Sequence, residues 1–492
     1  MAKPSARAPR SILSSGLLTA LSMAVVTGVS AVIGVVIARE FGRSVETDGF
    51  FSAYGVFLVL VLAASAFRVA VLPSLARARA EETFGSVLAS YALAIAVVAV
   101  PALLLGVFGN EWTARQLAGG LPESAQETAA DALVFLLPAA AAHLFAGLAA
   151  SALAAFDSYG TSAVGYAVGS IPGLAVILWR VDEDGIVACA WGTLANGAVT
   201  LAVPLAGLLF RATWGHRAPL RVLPRLAELA RAASLPIALQ ALFVVCLRFA
   251  GTEGTGAVTS FTYAYFVASA LVAVTASSLG MVSSVPLSRA ALSDERVSRH
   301  VVSTSLVSFA AVAAAAGVFA LVGDRIVHAA LGSAYEGDAG GEIGRLIVLL
   351  GPWMAASIGV TITFPMLFVA RRERRLPLLA VLALALHVVL TWLAVDAFGL
   401  DGAAAGLTVT TVVVLVALLL LLSSRVLATS ARGLALGAAV AGGLALLAFG
   451  APAALLPDPA AAALGIVAFA ALLFALRGRG LQQAWGYLRT LD

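Results

Sequence analysis

Hydrophobic positions along this chain fall in long unbroken blocks rather than in stripes of period 2 or 3.6. A block of about 20 apolar residues crosses the roughly 30 Å hydrocarbon core of a bilayer, where backbone N–H and C=O groups must be paired within the segment. Fourteen blocks qualify: 16–38, 49–72, 87–108, 129–155, 161–178, 186–210, 232–250, 257–282, 301–322, 346–370, 376–395, 402–422, 433–449 and 460–476. The pattern predicts an all-α polytopic membrane protein of about 14 transmembrane helices. The first block is too long for a signal peptide and reads as a retained helix. The polar segments between blocks are short, and the longest, 323–345, reads as an external turn or surface helix.

Composition agrees: 61% of the 492 residues are hydrophobic and 11% charged, against roughly half and a quarter in soluble domains. Charge then orients the chain, because cytoplasmic loops carry the Lys and Arg excess. With the N-terminus inside, Arg77, Arg79, Arg211, Arg217, Arg221, Arg225, Arg231, Arg371, Arg372, Arg374 and Arg375 all fall on the cytoplasmic side. The expectation is a multi-pass protein of the cytoplasmic membrane with both termini in the cytoplasm. The basic segment 211–231 also offers contact to anionic lipid headgroups.

Internal similarity refines the architecture. A shift of 211 to 214 residues places Ala53-Tyr54 on Ala264-Tyr265, Pro73 on Pro286, Trp179 on Trp392 and Gly185 on Gly399. The shift spans six helices, so both copies enter the membrane in the same sense, a parallel repeat. Two pseudo-symmetric six-helix lobes around a central cavity are expected: an N-lobe, 11–212, and a C-lobe, 232–425. A cytoplasmic basic loop, 213–231, joins them, and 426–492 adds two further helices and a short tail.

Charged and polar residues at bilayer depth mark function or pairing. His143 falls at the centre of the fourth block; it reads either as a proton-coupling group or as a neutral histidine bonded across the bundle, and His387 reads the same way. Gln240 and Asn196 bond across helices or line a cavity. Arg248 stands one turn from the external end of the seventh block, placed to snorkel or to pair with Glu253. Arg39 and Asp48 flank the first external turn, as a gate or loop-ordering pair or as interface solvation. Prolines 101, 138, 172, 204, 236, 352 and 365 lie within blocks and permit bends.

Two cysteines, Cys189 and Cys246, are too few for a disulfide framework or thiolate metal site. The chain carries no phosphate-cradling loop, metal-ligand cluster or nucleophile elbow. An enzyme, a cofactor and a nucleic-acid partner are therefore not expected, and no obligatory protein partner is evident. Energy would come from the membrane potential, a monovalent ion or the substrate's own gradient.

The stretch "AREFGRSVETDGFFSAY", 38–54, resembles the junction of the first two helices in MviN/MurJ-type lipid II flippases, of the multidrug/oligosaccharidyl-lipid/polysaccharide superfamily. "QALFVVCLRFAGTEGTGAVTSFTYAYFV", 240–267, resembles their seventh and eighth helices, and "VPLSRA" the end of the eighth. The resemblance implies fourteen helices and a cavity whose arginines meet the lipid's pyrophosphate, since guanidinium offers forked donors to phosphate oxygens. Here the matching positions hold Thr27 and Ile33 on the first helix, a residue near Val61 on the second and Phe266 on the eighth. Arg68 stands as a shifted phosphate ligand or as a snorkelling side chain. The resemblance implies a flippase moving a lipid-linked saccharide precursor of the cell envelope by alternating access, its partners being membrane lipid and that substrate. The alternatives are an ion-coupled exporter of small amphiphilic cations, or a degenerate paralogue serving as a membrane scaffold.

Overall fold

The structure is a computed structural model that describes residues 12–156, 158–277 and 293–476. Among these residues it holds sixteen α-helices and no strand. They are α1 (Ile12–Phe41), α2 (Val45–Ala80), α3 (Phe84–Phe108), α4 (Asn110–Ala118), α5 (Glu123–Ala155), α6 (Tyr159–Asp184), α7 (Val187–Arg211) and α8 (Val222–Ala250). Then follow α9 (Ala257–Val272), α10 (Asp294–Leu331), α11 (Asp338–Leu349), α12 (Gly351–Val369), α13 (Leu376–Phe398), α14 (Leu400–Leu422), α15 (Ser424–Ala453) and α16 (Asp458–Ala475). Twelve stretches are long and apolar enough to cross a membrane. One of them, Val164–Arg211, runs through the α6–α7 hairpin, and α1 stands outside the twelve, so about 14 crossings fit the chain.

Two differences from the sequence pattern have local causes. The block 346–370 is not one helix: α11 ends at Leu349 and α12 restarts at Gly351, with Pro352 in its first turn. Proline lacks the N–H that an interior position needs, and its fixed φ suits a helix start. Pro352 therefore opens a helix rather than bending one, whereas Pro101, Pro138, Pro172, Pro204, Pro236 and Pro365 do lie inside helices. The second difference lies in the block 257–282, where α9 gives way at Ala273 to a π turn ending at Ser277. Pro286 and the "VPLSRA" stretch lie outside the described residues.

Contacts divide the chain into two compact units: unit 1 is Met1–Glu40 with Ser52–Gln240, and unit 2 is Phe41–Phe51 with Ala241–Asp492. The division falls within α8, not in the basic segment 213–231, and hydrogen bonds explain why. Gly85 N–H donates to the Trp214 carbonyl at 2.9 Å, and His216 N–H to that of Glu82 at 2.6 Å. Ser86 and Ser90 hydroxyls accept from Ala218 and Arg221 N–H at 2.8 and 3.1 Å. The Tyr91 hydroxyl donates to Glu228 at 2.5 Å, and Arg225 holds the same carboxylate at 2.9 Å. The segment is thus a strap laid on the start of α3.

Within unit 1, α6 and α7 pack through Gly165, Gly169 and Gly173. A Cβ on Gly169 would stand 2.2 Å from the Thr200 hydroxyl, and one on Gly173 2.8 Å from the Gly192 carbonyl. Small residues four apart let helix backbones approach where lipid supplies no hydrophobic drive. The hairpin turns at Gly185, with φ 56° and ψ −139°. In unit 2, α13 turns into α14 at Gly399, with φ 58° and ψ −141°. The two glycines paired by the internal repeat have the same conformation, one that only glycine adopts cheaply.

Candidate functional site

The α1–α2 junction builds a hydrogen-bonded polar cluster in unit 2. Ser44 caps α2, its hydroxyl accepting from Thr47 N–H at 3.1 Å, which satisfies one of the orphan donors of a helix start. Asp48, one residue further along, turns to another helix. Gly256, at φ 85°, is the cap residue of α9 and has no side chain to serve its own first turn. The fully buried Asp48 carboxylate accepts there from Gly256 N–H at 2.5 Å, Thr259 N–H at 2.8 Å and the Thr259 hydroxyl at 2.6 Å. Three donors and the positive end of the α9 dipole stabilise the buried charge.

Arg43 packs beside it, its Nε 2.7 Å from where a Gly256 Cβ would stand, and pairs with Glu342 of α11 at 2.8 Å. Tyr335 is fully buried behind the cluster, its ring edge-on to Tyr263 at 5.7 Å. Burial pushes its hydroxyl above the ordinary tyrosine range, with Arg43 opposing. Phe266, where the resemblance implies an arginine, joins an aromatic cluster with Phe51 at 6.2 Å and Phe243 at 6.1 Å.

Arg39 is exposed on α1 and belongs to unit 1, so the basic member of the junction cluster is Arg43. Thr27 is exposed on α1; the Arg68 side chain lies outside those described. Asn196 is half-buried on α7, where its Oδ1 accepts from the Thr200 hydroxyl at 3.0 Å and its Cβ would meet one on Gly173 at 3.0 Å. Gln240 is half-buried on α8. Arg248 is half-buried in the last turn of α8, while Glu253 lies against Gly399.

His143 and His387 differ. His387 joins three helices: Nε2 lies 2.9 Å from the Leu242 carbonyl, Nδ1 2.9 Å from the Thr410 hydroxyl, and Cys246 Sγ stands 3.5 Å away. The carbonyl requires a donor, so Nε2 carries the proton and Nδ1 accepts from threonine. His143 is buried with no hydrogen bond to Nδ1, its ring edge-on to Phe57 at 5.7 Å.

Unit 2 also holds an apolar cavity of about 540 Å³. Phe309 and Gly317 of α10, Pro352 and Ala355 of α12, and Ala441 and Phe449 of α15 form its walls.

Helix order, two compact units and the capped α1–α2 junction define a polytopic transporter fold. It is similar to a solved structure described as the lipid II flippase MurJ in an inward closed conformation, with a TM-score of 0.72, 13% identity, and 94% of this chain and 99% of that one covered. An inward-facing multidrug resistance MATE transporter of the MOP superfamily aligns with a TM-score of 0.59, at 17% identity over 83% and 98%. A MOP superfamily transporter from Pyrococcus furiosus, described as having a binding pocket of reverse polarity, gives 0.52 at 17% identity over 85% and 95%. No curated protein sequence matches. The profile of the lipid II flippase MurJ family matches residues 37–474, and the chain belongs to that family.

Proposed function

We propose that this protein is a flippase that carries a lipid-linked saccharide precursor of the cell envelope across the cytoplasmic membrane, with both termini on the cytoplasmic side. The observation that carries this reading is the family match over 37–474, which runs through helices of both units. The apolar cavity of unit 2 supports it, because a polyprenyl chain needs an apolar surface once it leaves the bilayer. Arg68 is the candidate ligand for the lipid's pyrophosphate, since Phe266 offers no charge at the position the family resemblance assigns to an arginine. Asp48 and Arg43 order the external junction.

Purified protein in liposomes tests this. Labelled polyprenyl-pyrophosphate disaccharide placed in one leaflet should become accessible in the other under an imposed membrane potential, and Arg68→Ala should slow that transfer. Failure with a panel of such lipids overturns the reading. Movement of amphiphilic cations instead would favour the exporter chemistry of the MATE-like neighbours.

A further inference from the structure

A second cleft, of about 440 Å³, opens on unit 1 between α6 and α7. It lies near the turn at Gly185, at the opposite end of the hairpin from Arg211, which bonds Ser158. Trp179, Arg180 and Trp191 form its mouth near the turn, and Leu194, Ala195 and Ala198 line it further along α7. From Trp191 to Ala198, seven helical rises, the cleft runs about 10 Å along α7. It is polar and aromatic at one end and apolar at the other.

The mouth is assembled rather than incidental. Trp191 stacks on Phe135 of α5 with centroids 4.1 Å apart, which sets its ring. Arg180 lies over both indoles, 5.6 Å from Trp179 and 5.8 Å from Trp191. The same guanidinium is held by Asp184 at 2.6 Å and Glu183 at 3.2 Å.

The internal repeat supplies a comparison. Tryptophan at membrane interfaces is common, and anchoring there accounts for Trp179 and its equivalent Trp392, which are both exposed. It does not account for the rest. With the shift of 213 that pairs the tryptophans Arg180 falls on Leu393, and with the shift of 214 that pairs the glycines Trp191 falls on Ala405, so the equivalent α13–α14 hairpin keeps the glycine turn and one tryptophan without the charged group or the second ring.

Charge narrows the occupant. A free anion meets an arginine already neutralised by two carboxylates, with Asp182 adjacent. A ligand ammonium is repelled by the Arg180 guanidinium already seated beside both indoles. A neutral ring rich in hydroxyls satisfies every group: its C–H face packs on indole, its hydroxyls donate to Asp184 and Glu183, and its oxygens accept from Arg180. We propose that this cleft binds the neutral sugar headgroup of a membrane lipid, its chain lying along Leu194, Ala195 and Ala198. Two sources share that chemistry, a resident glycolipid and the lipid-linked saccharide that the flippase reading makes the cargo; only the second rests on that reading.

The test is binding of four probes to the full-length protein in detergent, read by native mass spectrometry: a monoglucosyl diacylglycerol, a polyprenyl-pyrophosphate disaccharide, phosphatidylethanolamine and phosphatidylglycerol. At least one sugar lipid should be retained over both phospholipids. Arg180→Gln and Trp191→Leu should each weaken retention about tenfold, while Trp392→Leu leaves it unchanged. Retention of the polyprenyl lipid alone assigns the cleft to cargo; retention of both sugar lipids assigns it to sugar-headed lipids generally. Equal retention of either phospholipid, or unchanged affinity in variants that keep the parent melting temperature, overturns the proposal. Should Trp191→Leu not fold, Arg180→Gln with Trp191→Phe carries the same comparison. Sugar-lipid retention without translocation rejects the flippase reading and keeps the cleft, whereas translocation without such retention rejects the cleft alone.

Discussion

Asp48 accepts hydrogen bonds from the backbone and hydroxyl of Thr259, a residue 211 positions away and its own equivalent in the internal repeat. The first copy supplies the carboxylate and the second supplies the helix start that needs it. Asp48→Ala removes a buried cap made of three bonds and should cost about 1–2 kcal/mol, the upper range for lost caps. Thr259→Ala keeps both backbone bonds and should cost less, about 1 kcal/mol. Thermal unfolding of the detergent-solubilised variants checks the order; equal losses would mean that the Thr259 hydroxyl carries the contact.

Gly185 and Gly399 share one backbone conformation but not one environment. A Cβ on Gly185 meets nothing within 4 Å, while one on Gly399 lies 2.8 Å from a Glu253 carboxylate oxygen. Gly185→Ala should therefore show backbone strain alone, about 1–3 kcal/mol. Gly399→Ala should cost at least as much, and Glu253→Ala in that background should recover the excess. Chemical denaturation of the paired variants measures both quantities.

The α6–α7 crossing predicts a contrast between glycines. Gly169→Leu drives a side chain into Thr200 and should cost about 1–3 kcal/mol through overpacking. Gly443→Ala on α15, where a Cβ meets nothing within 4 Å, should be neutral or stabilise by up to about 1 kcal/mol through helix propensity. Melting temperatures of the two variants should move in opposite directions or differ clearly in size.

The histidines predict opposite responses to the same kind of change. His387→Leu strands the Leu242 carbonyl and should destabilise by about 1–3 kcal/mol. His143→Phe removes a buried nitrogen without a partner and should hold or raise stability. A His143→Phe protein that keeps its melting temperature and loses transport in liposomes would place His143 in the transport cycle; unchanged transport would leave it a packing residue.

The helices, the paired glycines and the α1–α2 junction motif were legible because each depends on local pattern: an apolar block, a glycine repeated between two blocks, and the run of residues around Asp48. The rest of the junction was not. Arg43 meets Glu342 across 299 residues, and nothing in either neighbourhood announces the other. The sequence pointed to Arg39 because it is one turn nearer the membrane block, but the chain bends at Gly42, φ 57°, before Arg43 enters the cluster. The strap was hidden for a related reason. Its holding groups are the ordinary Ser86 and Ser90, whose role as acceptors exists only once residues 213–221 lie over them.

That strap has a practical consequence. Arg217 and Arg221 are exposed and stand at peptide bonds that trypsin recognises, yet the backbone on either side is tied down through His216, Ala218 and Arg221. A protease must have several residues extended and free in its cleft. Cleavage at these arginines therefore reports the release of the strap from α3, and digestion in the presence of different lipids turns the basic segment into a gauge of how firmly the start of unit 1's third helix is held.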